Sequence, residues 1–442
     1  MNILFIALDT LRADHLGCYG YSRDTSPKLD ALAAEGVRFD CCISECAHTV
    51  PAFTSMFTGL SPISHRVVGT NWCMPNENVD LLDDETPVLA EVLQQQGFLT
   101  AAVDNLFHNM QFHPKWFARG YEHYLNTSPK YIEGKTRADH VNERAIPWIK
   151  QHASENFYLF LHYWDPHQRY SPPAPFDAMF PASGKDMEPK KLADKRKFYP
   201  RCGPAKMEEG QWQQIAAYDG EIRYVDDRLG RIFALLKELE IYDRTLIIVT
   251  GDHGDDMAEH TCNFEHREVY DCCIRVPLIY KLPRDMQSGH NTGVVVPALV
   301  QHQDLMPTIL ELADIKDIPD MEGCSVRGLL MGGVAKHRTE TFATGTWIWD
   351  TDHWKSAEMC VRTEEWKYIR RADITGVVPH SKELIGLFRQ KPNDFIQLPA
   401  CELIDLTNDP EEQINVLDKN PEVAHKLDAL LKPWTDSGLF VG

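Results

Sequence analysis

The sequence predicts an α/β fold, a mostly parallel sheet with helices on both faces, carrying a smaller α+β subdomain at its C-terminal end. Three observations predict it. Short apolar runs of strand length stop at acidic residues, helical periodicity fills the intervals between them, and this alternation ends near residue 330. The expected division is residues 1–330 as the α/β domain and residues 331–442 as a subdomain packed on it.

The first run, Ile3 to Leu8, is apolar at every position and stops at Asp9-Thr10, as a strand buried on both faces does. Ser26 to Gly36 places Leu29, Leu32 and Ala33 on one helix face, Thr86 to Gly97 does the same with Leu89, Val92 and Leu93, and each segment stops at a glycine. Further strands are expected at Thr100–Val103, Phe157–His162 and Thr245–Thr250, with a long helix over Trp212–Glu238. Such sheets deliver ligand groups from loops at the carboxyl ends of their strands. Asp9, Asp165 and Asp252 all fall just past such ends. Ser171–Pro204, rich in proline and charge, reads as a surface excursion of the kind that lids and interfaces are made from. After a helix at Met306–Ala313, short antiparallel strands at Arg362–Arg370 and Cys401–Asp405 precede a final helix at Glu422–Leu431.

With 442 residues, 43% hydrophobic and 25% charged, the chain can bury a sizeable core. Its net charge of -20 repels polyanions, which argues against nucleic acid or an anionic membrane as partners. An anionic ester would need local positive charge, a metal ion above all. The opening residues lack the cationic and long apolar regions of a signal peptide, and no run approaches the ~20 apolar residues of a membrane span, so a soluble cytoplasmic protein is expected. Twelve cysteines without paired CxxC spacing suit reduced, buried thiols. The excursion and the subdomain also offer surface for a homo-oligomer.

Asp252-His253-Gly254 follows the apolar Leu246–Val249 and sets a carboxylate and an imidazole at the sheet rim. There they serve either as metal ligands or as a helix cap beside a hydrogen-bonded histidine. Asp9, at the equivalent position of the first strand, shifts the balance, because two converging carboxylates are costly unless a cation lies between them. Thr49 lies in a polar turn entering a helix that Gly59 ends. It is either a helix cap or a hydroxyl held as a nucleophile where the helix dipole and a metal favour negative charge.

The segment Asp9 to Tyr21 resembles the opening motif of the sulfatase family, a branch of the alkaline phosphatase superfamily, and Thr58–Pro62 resembles the end of its nucleophile helix. Matches follow in order at Leu161–His167, Tyr218–Asp226, Asp252–Gly254, Arg275–Ile279, Trp366–Tyr368 and Asp405–Pro410. The resemblance implies an alkaline phosphatase-like fold and a metal-dependent ester hydrolase. One motif departs from the family. Where sulfatases carry Cys-x-Pro-x-Arg, with the cysteine oxidised to formylglycine, this chain has Thr49-Val50-Pro51-Ala52-Phe53. Threonine cannot yield that aldehyde. It resembles instead the nucleotide pyrophosphatases and phosphoethanolamine transferases, in which a metal-bound threonine becomes phosphorylated.

The resemblance assigns the metal to Asp9, Thr49, Asp252 and His253, with Asp165 and His167 as candidates for a second ion. His167 equally fits a substrate-binding histidine, and His266 aligns with the lysine that grips sulfate in sulfatases. His260 and His266 are left open between metal, substrate and solvent. Thr10 stands where many sulfatases have a second calcium-binding aspartate, and His253 replaces a frequent asparagine, so one or two Mn2+ or Zn2+ ions are expected before Ca2+. Asn105 replaces a family lysine and His108 is shifted by one residue from a family histidine; both are candidates for substrate contact. The expected reaction is hydrolysis of a small anionic ester, a phosphodiester or phosphonate monoester, by Thr49 with His167 and His266 in catalysis. A sulfatase lacking formylglycine and a catalytically silent metal- or anion-binding member are the alternatives. Trp347, Trp349 and Trp354 line either a pocket or a core.

Overall fold

The computed structural model describes residues 1–68, 82–104, 115–127, 136–183, 209–260, 264–288, 291–333, 337–350, 353–372 and 398–440, with backbone only at 209, 346–350, 353 and 354. Eight strands form the main sheet: β1 (Asn2–Leu8), β2 (Val37–Ile43), β3 (Leu99–Val103), β4 (His123–Leu125), β5 (Phe157–Tyr163), β6 (Thr245–Gly251), β7 (Arg275–Lys281) and β8 (Val294–Gln301). Their order is β4-β3-β5-β1-β6-β7-β2-β8. Only β7 runs antiparallel to its neighbours; every other pairing is parallel. The mostly parallel sheet expected from the apolar runs is present.

β1 shows why its sequence makes a central strand. Ile3, Phe5 and Ala7 feed one core and Leu4, Ile6 and Leu8 the other, with none of them exposed. Helices α2 (Thr49–Thr58), α3 (Leu89–Gln95) and α6 (Leu305–Leu312) cover the first face; α1 (Pro27–Ala34), α4 (Ala138–Gln151) and α5 (Glu209–Glu238) cover the second. Each fully buried large apolar side chain contributes about 1.5–3 kcal/mol, which fixes the strand centrally and its rim residues with it. The helix expected from Thr86 begins only at Leu89, because Pro87 holds the residue before it out of the helical region.

β9 (Thr341–Asp350), β10 (His353–Arg362), β11 (Trp366–Arg371) and β12 (Cys401–Asp405) form an antiparallel sheet in the order β12-β11-β10-β9, backed by α7 (Pro421–Leu430). The single strand expected over Arg362–Arg370 is instead the end of β10, a turn and β11; the Thr363 hydroxyl accepts the Trp366 amide at 2.9 Å and closes the hairpin. This sheet packs on the main domain, with Ala343, Cys360, Ile369 and Ile404 against Cys41, Ile43, Tyr270 and Ile274. The Ala47 amide donates to the Thr344 carbonyl and the Thr344 amide to the Glu45 carbonyl, so the second sheet holds the lead-in to α2. The cysteines among the described residues are free thiols. No helix among the described residues is long and apolar enough to cross a membrane.

Candidate active site

Strand order builds the site. β1 lies between β5 and β6, and Leu8 is level with both Tyr163 and Gly251, so Asp9 and Asp252 leave the sheet side by side. Thr10 turns into the left-handed region, φ 56°, which a β-branched residue adopts only at a cost. That turn aims its amide at Asp252 Oδ1, 2.9 Å away, and the His253 amide donates to the same oxygen at 2.8 Å. Asp252 Oδ2 and both oxygens of Asp9 have no hydrogen-bond partner among the described residues, though neither residue is exposed.

Thr49 is the first residue of α2 and is buried, with its hydroxyl 3.3 Å from His253 Nε2. His48, not Thr49, occupies the cap position, and no side chain caps the helix. His253 Nδ1 donates to the Gly254 carbonyl at 3.0 Å, which leaves Nε2 as the lone-pair nitrogen, 3.4 Å from Asp252 Oδ2 and 4.0 Å from Asp9 Oδ1. Donor atoms of Asp9, Asp252 and His253 all lie within 4.8 Å of one another. Ligands about 2.1 Å from a shared ion stand roughly 3–3.5 Å apart. The orphaned oxygens and this spacing fit a divalent cation held by Asp9, Asp252 and His253 with Thr49 beside it.

Histidines set the electrostatics. Burial pushes Asp9 up, but His167, His162 and His253 outweigh it and bring the carboxyl down to about 2. Burial and the adjacent Asp9 push Asp252 the other way, upward. Beneath Asp9, His162 Nε2 stands 3.5 Å from Asp9 Oδ2 and His162 Nδ1 is 2.7 Å from Asp104 Oδ1, whose other oxygen accepts the Tyr124 hydroxyl. Burial alone would lower the His162 pKa; the two carboxylates raise it to about 10. Phe53 packs edge-on against this ring, centroids 4.9 Å apart.

On the outer side, the His266 ring lies 4.2 Å from that of His253, 5.6 Å from His167 and 5.9 Å from His48. His266 Nδ1 is 2.9 Å from Asp255 Oδ1, and the Tyr170 hydroxyl donates to Asp255 Oδ2 at 2.6 Å. Burial, with His253, His167 and Arg267, holds His266 well below the ordinary histidine value. For His167 burial pulls down, but Asp9, Asp255 and the Gln168 carbonyl outweigh it and raise the pKa.

The sequence profile of the sulfatase family matches residues 1–315, and the profile of the N-sulphoglucosamine sulphohydrolase C-terminal region matches residues 258–387. The chain belongs to the sulfatase family. Its relatives include arylsulfatase K of Mus musculus, 29% identical over 53% of this chain but only 38% of that protein. An ulvan-active sulfatase of Formosa agariphila is 25% identical over 98% of this chain and 78% of its own. The multifunctional alkaline phosphatase superfamily protein PehA of Trinickia caryophylli is 28% identical over 70% of this chain and 73% of its own. The phosphonate monoester hydrolase of Agrobacterium radiobacter superposes with a TM-score of 0.73 at 20% identity, covering 99% of this chain and 96% of the other, which shows a common fold.

Of the residues the family motifs single out, Asp9, Thr49, Asp252, His253, His167 and His266 converge. Asp165 is placed differently: it is buried and its Oδ2 accepts the Ala138 amide at 2.6 Å, so it caps the start of α4. His260 stacks flat on Tyr270, centroids 3.7 Å apart. Asn105 and His108 lie outside the described residues. Sequence reasoning passed over His48, Asp104, His162, Asp255 and Tyr170. Two of these carried a signal: His162 is a titratable residue inside an otherwise apolar strand, and Asp255 follows directly on Asp252-His253-Gly254.

Proposed function

We propose that this sulfatase-family hydrolase cleaves phosphodiesters or phosphonate monoesters by a covalent route in which Thr49 is the nucleophile. One observation carries the reading: the Thr49 hydroxyl stands at the start of α2, 3.3 Å from His253 Nε2, beside three buried carboxylate oxygens that lack partners among the described residues. A divalent ion bound there, Mn2+ or Zn2+ before Ca2+ given an imidazole ligand, would supply the positive charge that lowers the barrier to losing the hydroxyl proton. Asp9, Asp252 and His253 would hold it, and the first-turn amides of α2 favour negative charge on Thr49 Oγ.

In the first step the Thr49 hydroxyl gives its proton to bulk water, Thr49 Oγ attacks phosphorus, the bond to the leaving oxygen breaks, and that oxygen takes a proton from His167, which bulk water then restores. His167 Nδ1 donates to the Gln168 carbonyl at 2.6 Å, which directs Nε2 as the nitrogen that serves the substrate. Phe53 and His266 stand where the family has arginine and lysine, so a singly charged ester suits this site better than a dianionic monoester. The names borne by relatives support both ester types: the Agrobacterium phosphonate monoester hydrolase on the phosphorus side, the arylsulfatase and the ulvan-active sulfatase on the sulfur side.

Turnover of an aryl phosphodiester, an aryl phosphonate and an aryl sulfate, before and after chelation and in Thr49→Ala, tests the proposal. Chelation and Thr49→Ala should each lower phosphodiester or phosphonate turnover by about 10^3-fold or more. Activity that survives loss of Thr49, or that is confined to the sulfate, sinks the covalent phosphoryl reading.

A further inference from the structure

We infer that Asp255 and Tyr170 are positioning residues that hold His266 as the general base for water attack on the covalent Thr49 intermediate. The inference rests on the Thr49 reading. Asp255 is buried, and both its oxygens are committed: Oδ2 accepts the Tyr170 hydroxyl at 2.6 Å, and Oδ1 lies 2.9 Å from His266 Nδ1. A carboxylate only accepts, so Nδ1 of His266 is the donor and Nε2 carries the lone pair. The ring is 4.2 Å from that of His253, whose Nε2 is 3.3 Å from the Thr49 hydroxyl, so the base stands one imidazole away from the nucleophile. Tyr170 is itself held in place, packed edge-on against Tyr218 at 5.3 Å and near Phe264. Donor atoms of His253, Asp255 and His266 also approach within the range of a metal cluster. Each Asp255 oxygen accepts one hydrogen bond and keeps a second lone pair, so retention or loss of bound Mn2+ in an Asp255 variant separates a positioning residue from a metal ligand.

In this step water gives a proton to His266 Nε2 as its oxygen attacks phosphorus. The Thr49 Oγ–P bond breaks, Thr49 Oγ takes a proton from bulk water while His266 Nε2 releases its own to bulk water, and the product acid leaves with the water oxygen. An amide at position 255 can donate to Nδ1, which turns the ring to the wrong tautomer and leaves Nε2 protonated. Formation of the intermediate does not need this base; its breakdown does.

The test uses the full chain with added Mn2+ and bis(4-nitrophenyl) phosphate or 4-nitrophenyl phenylphosphonate, followed by rapid quench and intact-mass analysis. In Asp255→Asn one equivalent of nitrophenolate should appear at the wild-type rate, steady-state turnover should fall about 10^2–10^4-fold, and the phosphoryl or phosphonyl adduct should persist on Thr49. Tyr170→Phe, which removes only one hydrogen bond, should lower kcat about tenfold with KM falling in proportion, so that kcat/KM is unchanged, and show a smaller accumulation of adduct. Equal loss in both steps, no accumulation of adduct in either variant, or loss of an equivalent of bound Mn2+ in Asp255→Asn would overturn the assignment. An adduct that forms but decays equally fast in wild type and variants refutes His266 positioning alone. Absence of any adduct together with an active Thr49→Ala refutes the nucleophile itself.

Discussion

Two regions of this molecule bury charge and treat it in opposite ways. Where the C-terminal sheet meets the main domain, Lys367 Nζ is 2.6 Å from Asp271 and 2.5 Å from Glu412, Arg362 reaches Asp271 at 3.0 Å, and Arg371 joins Glu358 at 2.8 Å and Glu402 at 2.7 Å. Every one of those carboxylates faces a fixed cation. At the rim of the main sheet, Asp9 and Asp252 face histidines, and among the described residues no lysine or arginine pairs with either. The first cluster closes on itself and locks two sheets together. The second leaves charge that a ligand from outside can balance, which is what separates a structural charge cluster from a binding site.

Breaking the closed cluster should have the larger effect. Lys367→Met leaves Asp271 and Glu412 buried with too little positive charge, and should cost about 3–5 kcal/mol in urea unfolding while Mn2+ affinity stays unchanged. A loss of metal affinity there would show that the two clusters are coupled. Opening the rim cluster further should do the reverse. Asp9→Asn should weaken Mn2+ binding by about 100-fold or more in calorimetric titration, and reduce the metal-induced stabilisation by about 2.7 kcal/mol at saturation. Unchanged binding would remove Asp9 from the ligand set.

A third effect sharpens the comparison at Glu45, on the lead-in to α2. Burial pushes its carboxyl up from 4.5 to about 8, even though the Gln303 amide donates to it at 2.9 Å. The folded chain therefore keeps a proton that the unfolded chain releases. The resulting stability is fully present below about 4.5 and is lost as pH rises through about 8. Glu45→Gln, permanently neutral, should match wild type in denaturant midpoint at pH 5 and exceed it at pH 9. Parallel pH profiles would show that Glu45 is ionised throughout.

The strands with uniform apolar character were legible in the sequence nearly to the residue, because burial on both faces leaves no polar position to blur the pattern. β5 was read as Phe157–His162 and runs to Tyr163; β6 was read as Thr245–Thr250 and runs to Gly251. Asp165 meets the same local criterion as Asp9 and Asp252. All three follow strand ends, but only the latter two turn toward Thr49, whereas Asp165 turns to the amide that opens α4. Position past a strand end is a local property; the direction of the side chain depends on what packs beside it.

The sequence by itself determined the alternating architecture, the rim carboxylates and the His253 partner, because each is written in a short window of residues. Only the tertiary structure decided which groups meet. β1 is flanked by β5 and β6 rather than by its neighbours in the chain, and that order brings His162 beneath Asp9 across 153 positions. The fold of the later loops sets Tyr170 and Asp255 behind His266. Hydrophobic periodicity records how deeply a strand is buried, but it does not encode which strand lies alongside, and the chemistry of this site depends on that second fact.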